Sequence, residues 1–286
     1  MENFRLRQIA HEDFNDILDI SKGIWDGADY MPLIFHKWVD DKEGYFMGVE
    51  DLSLNKIVAI GKYSIYPQKM GWLEGLRVHR DYRGKGLADM LHKYGMRHSI
   101  EDLKKGNVDK LGSCTHLTSE ASKSMLLNQG FKIVQSHIMV SKPYDKGAKI
   151  NTQRYEVKRF RPTLKEFMDI PYFKNRNNMF HIDFMFMEVC PKLYEQLIEM
   201  DVFWEINGKK GFIYFKKEPC FVALDEDIES IDMFSDYLHQ KNKSDFAPYT
   251  TIHPDSKDLI ESLKTMGYES ICDWQPDYLF FEYKID

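Results

Sequence analysis

Two glycines and two cations stand together at Arg83-Gly84-Lys85-Gly86, directly ahead of Leu87, Met90, Leu91 and Tyr94 at helical spacing. That combination is suited to holding a phosphate. A helix N-terminus presents unpaired backbone N–H groups and the positive end of the macrodipole. Glycine lets the backbone approach an anion with no Cβ in the way, and Arg83 and Lys85 add formal charge. The spelling is neither Gly-x-x-x-x-Gly-Lys-Ser/Thr nor Gly-x-Gly-x-x-Gly after a strand, which excludes the two better-known phosphate loops. The plain alternative is a helix entry with incidental glycines and solvated cations.

The elements needed to position this loop are legible around it. Trp72 to Val78 nearly alternates apolar and polar residues and reads as the strand that feeds the turn. Upstream, Phe4 to Ile9 reads as a strand and Glu12 to Gly23 as a helix. Residues 24–32 read as a loop and Phe35 to Asp41 as a short helix, followed by strands over Gly44 to Glu50 and Lys56 to Pro67. Downstream, the loop's helix runs to about Glu101, followed by a strand (Val108 to His116), a helix (Ser119 to Asn128) and a strand (Phe131 to Lys142). This β-α-α-β-β-β-α-β-α-β order predicts a mixed α/β sheet.

With 286 residues, 43% hydrophobic and 14% aromatic, the chain can bury a sizeable core. Its net charge of −6 argues against nucleic acid as a partner. Residues 1–150 carry 22 Lys/Arg against 20 Asp/Glu, and the rest 17 against 25, so the loop lies in the less acidic half. Cys114, Cys190, Cys220 and Cys272 form no CxxC or Cys/His cluster in sequence, so neither structural zinc nor a disulfide framework is expected, and no metal is assigned. No run approaches a membrane span, and Met1 to Arg5 opens polar, so no membrane partner and a cytoplasmic location are expected.

Arg83-x-x-Gly86-x-Ala88 after Leu76-Arg77-Val78 resembles the pyrophosphate-binding motif of the GNAT superfamily of acyl-CoA-dependent N-acyltransferases. Ser119 to Phe131, ending in Gly130-Phe131, is similar to the helix that follows that family's fifth strand. Gly23 to Pro32, His36, Trp38 and Glu74 to Val78 further resemble its histidine N-acetyltransferase-like branch. The resemblance implies acetyl-CoA as donor. The main chain of Leu76, Arg77 and Val78 would bond pantetheine, and Arg83, Gly84, Lys85, Gly86, Leu87 and Ala88 would hold the pyrophosphate. Ser119 and Ser122 are the nearest polar candidates for the asparagine usual early in the later helix. The tyrosine usual four residues before that helix's Gly is replaced by Leu126, which leaves the general acid unassigned.

Acyl transfer needs a neutral amine, alignment with the thioester carbonyl and support for the oxyanion. Glu74 is the candidate general base, because an α-amine, with a reference pKa of about 7.7–8.0 at a peptide end, arrives mostly protonated. If the strand alternates, Glu74, Leu76 and Val78 share one face. On this reading Glu74→Gln keeps CoA affinity and loses turnover, most severely at low pH. Alternatively, Glu74 pairs with a cation on the sheet. Trp25, Asp29 and Tyr30 are candidate acceptor-binding residues, with turn formation and core packing as their other roles. Arg77 fits an acceptor carboxylate.

Pro143 to Lys149 is polar and reads as a linker, which divides the chain into a catalytic domain at 1–142, a linker at 143–153 and a second domain at 154–286. The second part reads as a degenerate GNAT-like copy. Its elements are strands over Arg154 to Phe160, Val202 to Ile206, Gly211 to Phe215, Phe221 to Leu224 and Tyr278 to Tyr283, with helices over Thr163 to Ile170, Ile228 to His239 and Asp258 to Met266. Leu224-Asp225-Glu226-Asp227 stands where a phosphate loop would be, and its three carboxylates repel a pyrophosphate. The expected function is N-acetylation of a small-molecule amine such as histidine. The alternatives are a peptide N-acetyltransferase and a non-catalytic acyl-CoA sensor, and a homodimer is compatible with each.

Overall fold

Runs carrying β-branched or aromatic residues at Phe4–Gln8, Tyr45–Asp51, Lys56–Tyr66 and Met70–Val78 build an antiparallel meander. The computed structural model describes residues 3–24, 29–143, 154–214, 219–241 and 246–285. In the first strand series, β1 (Phe4–Gln8), β2 (Tyr45–Asp51), β3 (Lys56–Tyr66) and β4 (Met70–Val78) pair antiparallel in that order, and β5 (Lys110–His116) joins β4 in parallel. One face of this sheet packs on α1 (Phe14–Ser21) and α2 (Met31–Asp40) through Ile17, Ile20, Met31, Phe35, Phe46 and Ile60. The other face, with Val49, Val58 and Ala59, is covered by Leu87 and Leu91 of α3 (Leu87–Lys105).

α2 begins four residues earlier than the sequence suggested. Pro32 sits in the first turn, where its missing N–H costs nothing, and Asp29 Oδ1 accepts the Met31 N–H at 3.2 Å. α3 likewise runs past Glu101 and stops at the left-handed Gly106, whose N–H returns to Asp102 and Leu103. α4 (Glu120–Asn128) and β6 (Lys132–Ser141) follow.

The second series repeats this order and direction. Strands β7 (Val157–Arg159), β10 (Phe203–Ile206), β11 (Lys209–Tyr214) and β12 (Cys220–Ala223) are antiparallel neighbours, and β13 (Tyr249–Ile252) joins β12 in parallel. α8 (Ile228–Lys241) bridges β12 and β13 as α3 bridges β4 and β5, and α9 (Lys257–Thr265) follows β13 as α4 follows β5. Between β7 and β10 lie α5 (Leu164–Met168), α6 (Pro171–Lys174), the hairpin β8 (Met179–Ile182) with β9 (Met185–Glu188), and α7 (Pro191–Glu199). The apolar stretch around Phe180 gave no sign of being this hairpin. It turns at Asp183, which adopts φ 55°.

By contact the chain divides into two compact units, Met1–Ser113 with Met125–Lys132 and Glu282–Asp286, and Cys114–Ser124 with Ile133–Phe281. The units interleave in sequence, whereas the division expected at 143–153 separates the two strand series. Past Pro143, that linker lies outside the described residues. In the second unit β6 pairs with β13, from Ile138 opposite Ile252 to Ser141 opposite Tyr249, and neighbours β14 (Tyr278–Tyr283) on its other side.

Candidate functional site

β4 carries a bulge. Ile60 faces Arg77 and Lys62 faces Glu74, so Gly75 and Leu76 together oppose the single residue Gly61. Gly75 makes the bulge at φ 67°, and a Cβ there would stand 2.4 Å from the Trp38 ring. The alternation expected for this strand therefore fails by one residue. Glu74 does not share a face with Leu76 and Val78, which lie with α3. It shares one with Arg77, Lys62 and Ile60, on the side of α1 and α2.

On that face the Glu74 carboxylate is held by two hydroxyls. Ser64 Oγ donates to Oε1 at 2.6 Å, and the Tyr66 phenol donates to Oε2 at 3.4 Å. Burial pushes the carboxyl up to about 7, and the bond from Ser64, the nearby Lys62 charge and the bond from Tyr66 pull against it. Lys62, 1% exposed in its side chain, is satisfied by Asp41 and by the Tyr63 carbonyl at 3.2 Å. A carboxyl that titrates near 7 is matched to taking a proton from an ammonium at neutral pH. Sequence reading missed Ser64, Tyr66, Lys62 and Asp41. Their i, i+2 placement on β3 was the signal for the first three, and the bulge is what aims Glu74 at them.

Arg77 is the second charged group on this face. Its Nε and Nη2 both reach the Asp29 carboxylate at 3.3 Å, Nη1 donates to the Leu76 carbonyl at 3.1 Å, and the guanidinium lies 5.4 Å from the centre of the Tyr30 ring. Burial disfavours its charge, but Tyr30 and Asp29 more than offset that and raise its pKa. Asp29 is thus engaged twice, by Arg77 and by the start of α2, with its side chain 1% exposed. Tyr30 packs edge-on against Trp38 at 6.4 Å. Trp25 lies outside the described residues. His36 stacks on His11 at 5.0 Å.

The parallel ladder of β4 with β5 covers only Met70 to Trp72 against Lys110 to Gly112. Ser113 Oγ then donates to the Leu73 carbonyl at 2.9 Å. Leu76, Arg77 and Val78 follow beyond this ladder. They lead through a single 3-10 turn (Arg80–Tyr82) into the loop.

Gly84 and Gly86 take φ 78° and 77°, a left-handed conformation that other residues adopt only with strain, and the space a Cβ would enter is open at both. Arg83, Gly84, Lys85 and Gly86 are exposed, with Lys85 Nζ 4.3 Å from the centre of the Tyr82 ring. Leu87 is buried in the core at the foot of the helix, and Ala88 follows it in the first turn, whose N–H groups have no intrahelical acceptor. The turn is thus exposed and unobstructed at a helix N-terminus. Ser119 and Ser122 belong to the second unit, at the start of α4. Leu126 is 3% exposed and packs in the core, so it offers no proton to a leaving group.

The equivalent crossover of the second series is closed. Asp227 Oδ1 accepts the Ser230 N–H at 2.7 Å, at the N-terminus of α8. Lys209 Nζ lies 3.3 Å from Asp225 and 3.1 Å from Asp227, and Glu226 forms a two-pronged pair with the buried Arg176.

Residues 6–131 match the Acetyltransferase (GNAT) family. Over 88 residues the chain is 34% identical to histidine N-acetyltransferase of Xenopus tropicalis, and over 86 residues 30% identical to that of Oreochromis niloticus. Each match covers 30% of this chain and 26% and 25% of those proteins, so the matched stretch spans about a quarter of the curated relatives. A GCN5-related N-acetyltransferase from Sphaerobacter thermophilus superposes with TM-score 0.61 at 11% identity, over 99% of this chain and 96% of that one. A protein described as an acetyltransferase from Pyrococcus horikoshii gives TM-score 0.64 at 12% identity, over 100% and 91%. At these identities the likeness is one of fold, and it extends over both strand series.

Proposed function

We propose that the protein is an N-acetyltransferase that moves acetyl from acetyl-CoA to the amine of a small molecule, an amino acid such as histidine; the match of residues 6–131 to the acetyltransferase (GNAT) family and the likeness to histidine N-acetyltransferases support this reading. The observation that carries this reading is the Gly75 bulge. It turns Glu74, with its carboxyl near pKa 7, to the face that also holds Arg77 and Tyr30, while the same strand runs on into the glycine-rich cradle.

Acetyl-CoA supplies the activated acyl group. Arg83 and Lys85, with the N–H groups opening α3, would hold its pyrophosphate, and the main chain of Leu76 to Val78 would bond the pantetheine. Glu74, fixed by Ser64 and Tyr66, takes the proton from the acceptor's ammonium, directly or through one water, and so frees the lone pair for attack on the carbonyl carbon. The adduct's nitrogen gives up its second proton as the adduct collapses, and the expelled thiolate takes up a proton through solvent, since Leu126 in the core cannot donate one. Tyr30 and Arg77 face an amino-acid acceptor with an aromatic ring and a guanidinium whose partner, Asp29, keeps it aimed. Support for histidine as acceptor comes from the names of the relatives.

The test is release of free CoA thiol from acetyl-CoA over a panel of free amino acids, polyamines and basic peptides, with Glu74→Gln beside the parent. Release with one amino acid, lost in the variant, supports the proposal. No release with any free amino acid, from a folded protein that binds acetyl-CoA, overturns it.

A further inference from the structure

We propose that His116, Cys272 and Asp277 form a binding site for one zinc-type divalent cation, with three protein ligands and a fourth position left to water. The three residues come from the end of β5, the turn after α9 and the residue before β14, all in the second unit. One ligand atom from each lies within 4.8 Å of the others. His116 Nε2 stands 4.0 Å from Asp277 Oδ2. Zinc bonds of about 2.0–2.3 Å place tetrahedral ligands roughly 3.3–3.8 Å apart, so closure around the ion takes about 1 Å of side-chain movement.

Asp277 supplies the independent sign that something belongs there. The residue is 0% exposed and its backbone is pinned on both sides, its N–H donating to the His137 carbonyl at 2.9 Å and its carbonyl accepting the Leu117 N–H at 2.7 Å. Oδ1 accepts the Met139 N–H at 2.8 Å, yet the buried Oδ2 has no hydrogen-bond partner and points to His116. At 4.0 Å that contact is not a hydrogen bond. A buried carboxylate oxygen left unpaired is costly, and such atoms call for a missing partner.

The other two side chains are set for the same task. His116 Nδ1 stands 2.8 Å from Thr118 Oγ1 and 3.3 Å from the Thr118 N–H, which orients the ring; in the tautomer whose Nδ1–H donates to Oγ1, Nε2 is left for the ion. Cys272 is presented by a turn whose next two residues, Asp273 and Trp274, are left-handed at φ 50° and 60°. One thiolate, one carboxylate and one imidazole exactly offset a dication, so the loaded site buries no net charge. Nitrogen and sulfur ligands favour zinc over magnesium or calcium. The ion would clasp the turn after α9 to the end of β5.

The experiment uses full-length protein free of any metal-affinity tag, stripped by a chelator and titrated with Zn²⁺ and, separately, Co²⁺. One equivalent of each is expected, with a sulfur-to-cobalt charge-transfer band that Cys272→Ser abolishes and Cys190→Ser retains. Thr118→Val should weaken zinc about tenfold. Asp277→Asn, nearly isosteric, must also lose affinity, and zinc must raise the Tm of the parent but not of Cys272→Ser. Failure to take up one equivalent, or a band or affinity unchanged in Cys272→Ser or Asp277→Asn, overturns the site. These readouts involve no acetyl transfer and stand apart from the proposed activity.

Discussion

Between β4 and α3 the chain reads Arg83-Gly84-Lys85-Gly86, exposed and left-handed at both glycines, while between β12 and α8 it reads Leu224-Asp225-Glu226-Asp227, with the carboxylates turned onto the protein's own cations and helix terminus. The strands differ as much as the turns. β4 is bulged at Gly75 and carries Glu74 and Arg77, whereas β12 (Cys220, Phe221, Val222, Ala223) pairs with β11 in unbroken register and is buried throughout. The same topology thus serves two ends. In the first series the positive helix end is left open to an anion from outside. In the second an anion from the chain itself occupies it, and the surrounding charges are spent on stability.

The comparison can be broken at four points. The largest effect is expected from Glu74→Gln, which should cut turnover about a hundred- to ten-thousandfold while leaving acetyl-CoA affinity unchanged. A base with pKa about 7 is mostly charged only above that pH, so kcat/KM of the parent should rise through about pH 7 and the loss in the variant should be greatest above it, not at low pH as an ordinary carboxylate would have it. The folded carboxyl is raised above its unfolded value of 4.5, so its charge costs stability at higher pH. The variant should therefore be no less stable than the parent in urea at pH 8, which separates catalysis from folding.

Glu226→Gln, on the closed crossover, should do the reverse. It leaves Arg176, 1% exposed in its side chain, charged without its partner and should cost about 3 kcal/mol in denaturant unfolding with no change in the KM for acetyl-CoA. A raised KM there would mean that the second crossover takes part in donor binding. Arg83→Glu with Lys85→Glu gives the first loop the sign of the second and should raise the KM for acetyl-CoA roughly 10- to 100-fold, the worth of one charge-assisted contact, with kcat largely kept. An unchanged KM would return the loop to a solvated helix entry. The smallest effect is expected from Ser64→Ala. Ser64 donates to Glu74 and lowers its pKa, so its loss should move the limb of the pH–rate profile upward with modest change in the plateau.

The exposed glycine-rich turn proposed to hold phosphate was legible in sequence because it is local. Its glycines, its cations and the helix they open lie within a dozen residues, and φ near 80° is a property glycine supplies by itself. Most of the strand order was legible too, since half-buried strands alternate. What escaped was set by contacts distant in sequence. The face on which Glu74 lies depends on one extra residue opposite Gly61, and the bulge is decided by the approach of the Trp38 ring to Gly75. β13 was invisible because Tyr249 to Ile252 is short and buried on both faces, with no alternation to read. The β8–β9 hairpin was hidden for the same reason.

The sequence alone determined that a strand enters a helix through a basic glycine turn, that the second crossover is acidic and that a glutamate stands four residues before the end of the feeding strand. Those are matters of residue type and near neighbours. Tertiary structure decided which way Glu74 points, that Ser64, Tyr66 and Lys62 surround it, that Arg77 is matched by Asp29, and that His116, Cys272 and Asp277 come together from distant segments. Proximity across a sheet follows from register and burial, which no local pattern encodes, and the pKa of a carboxyl follows from what it is buried among.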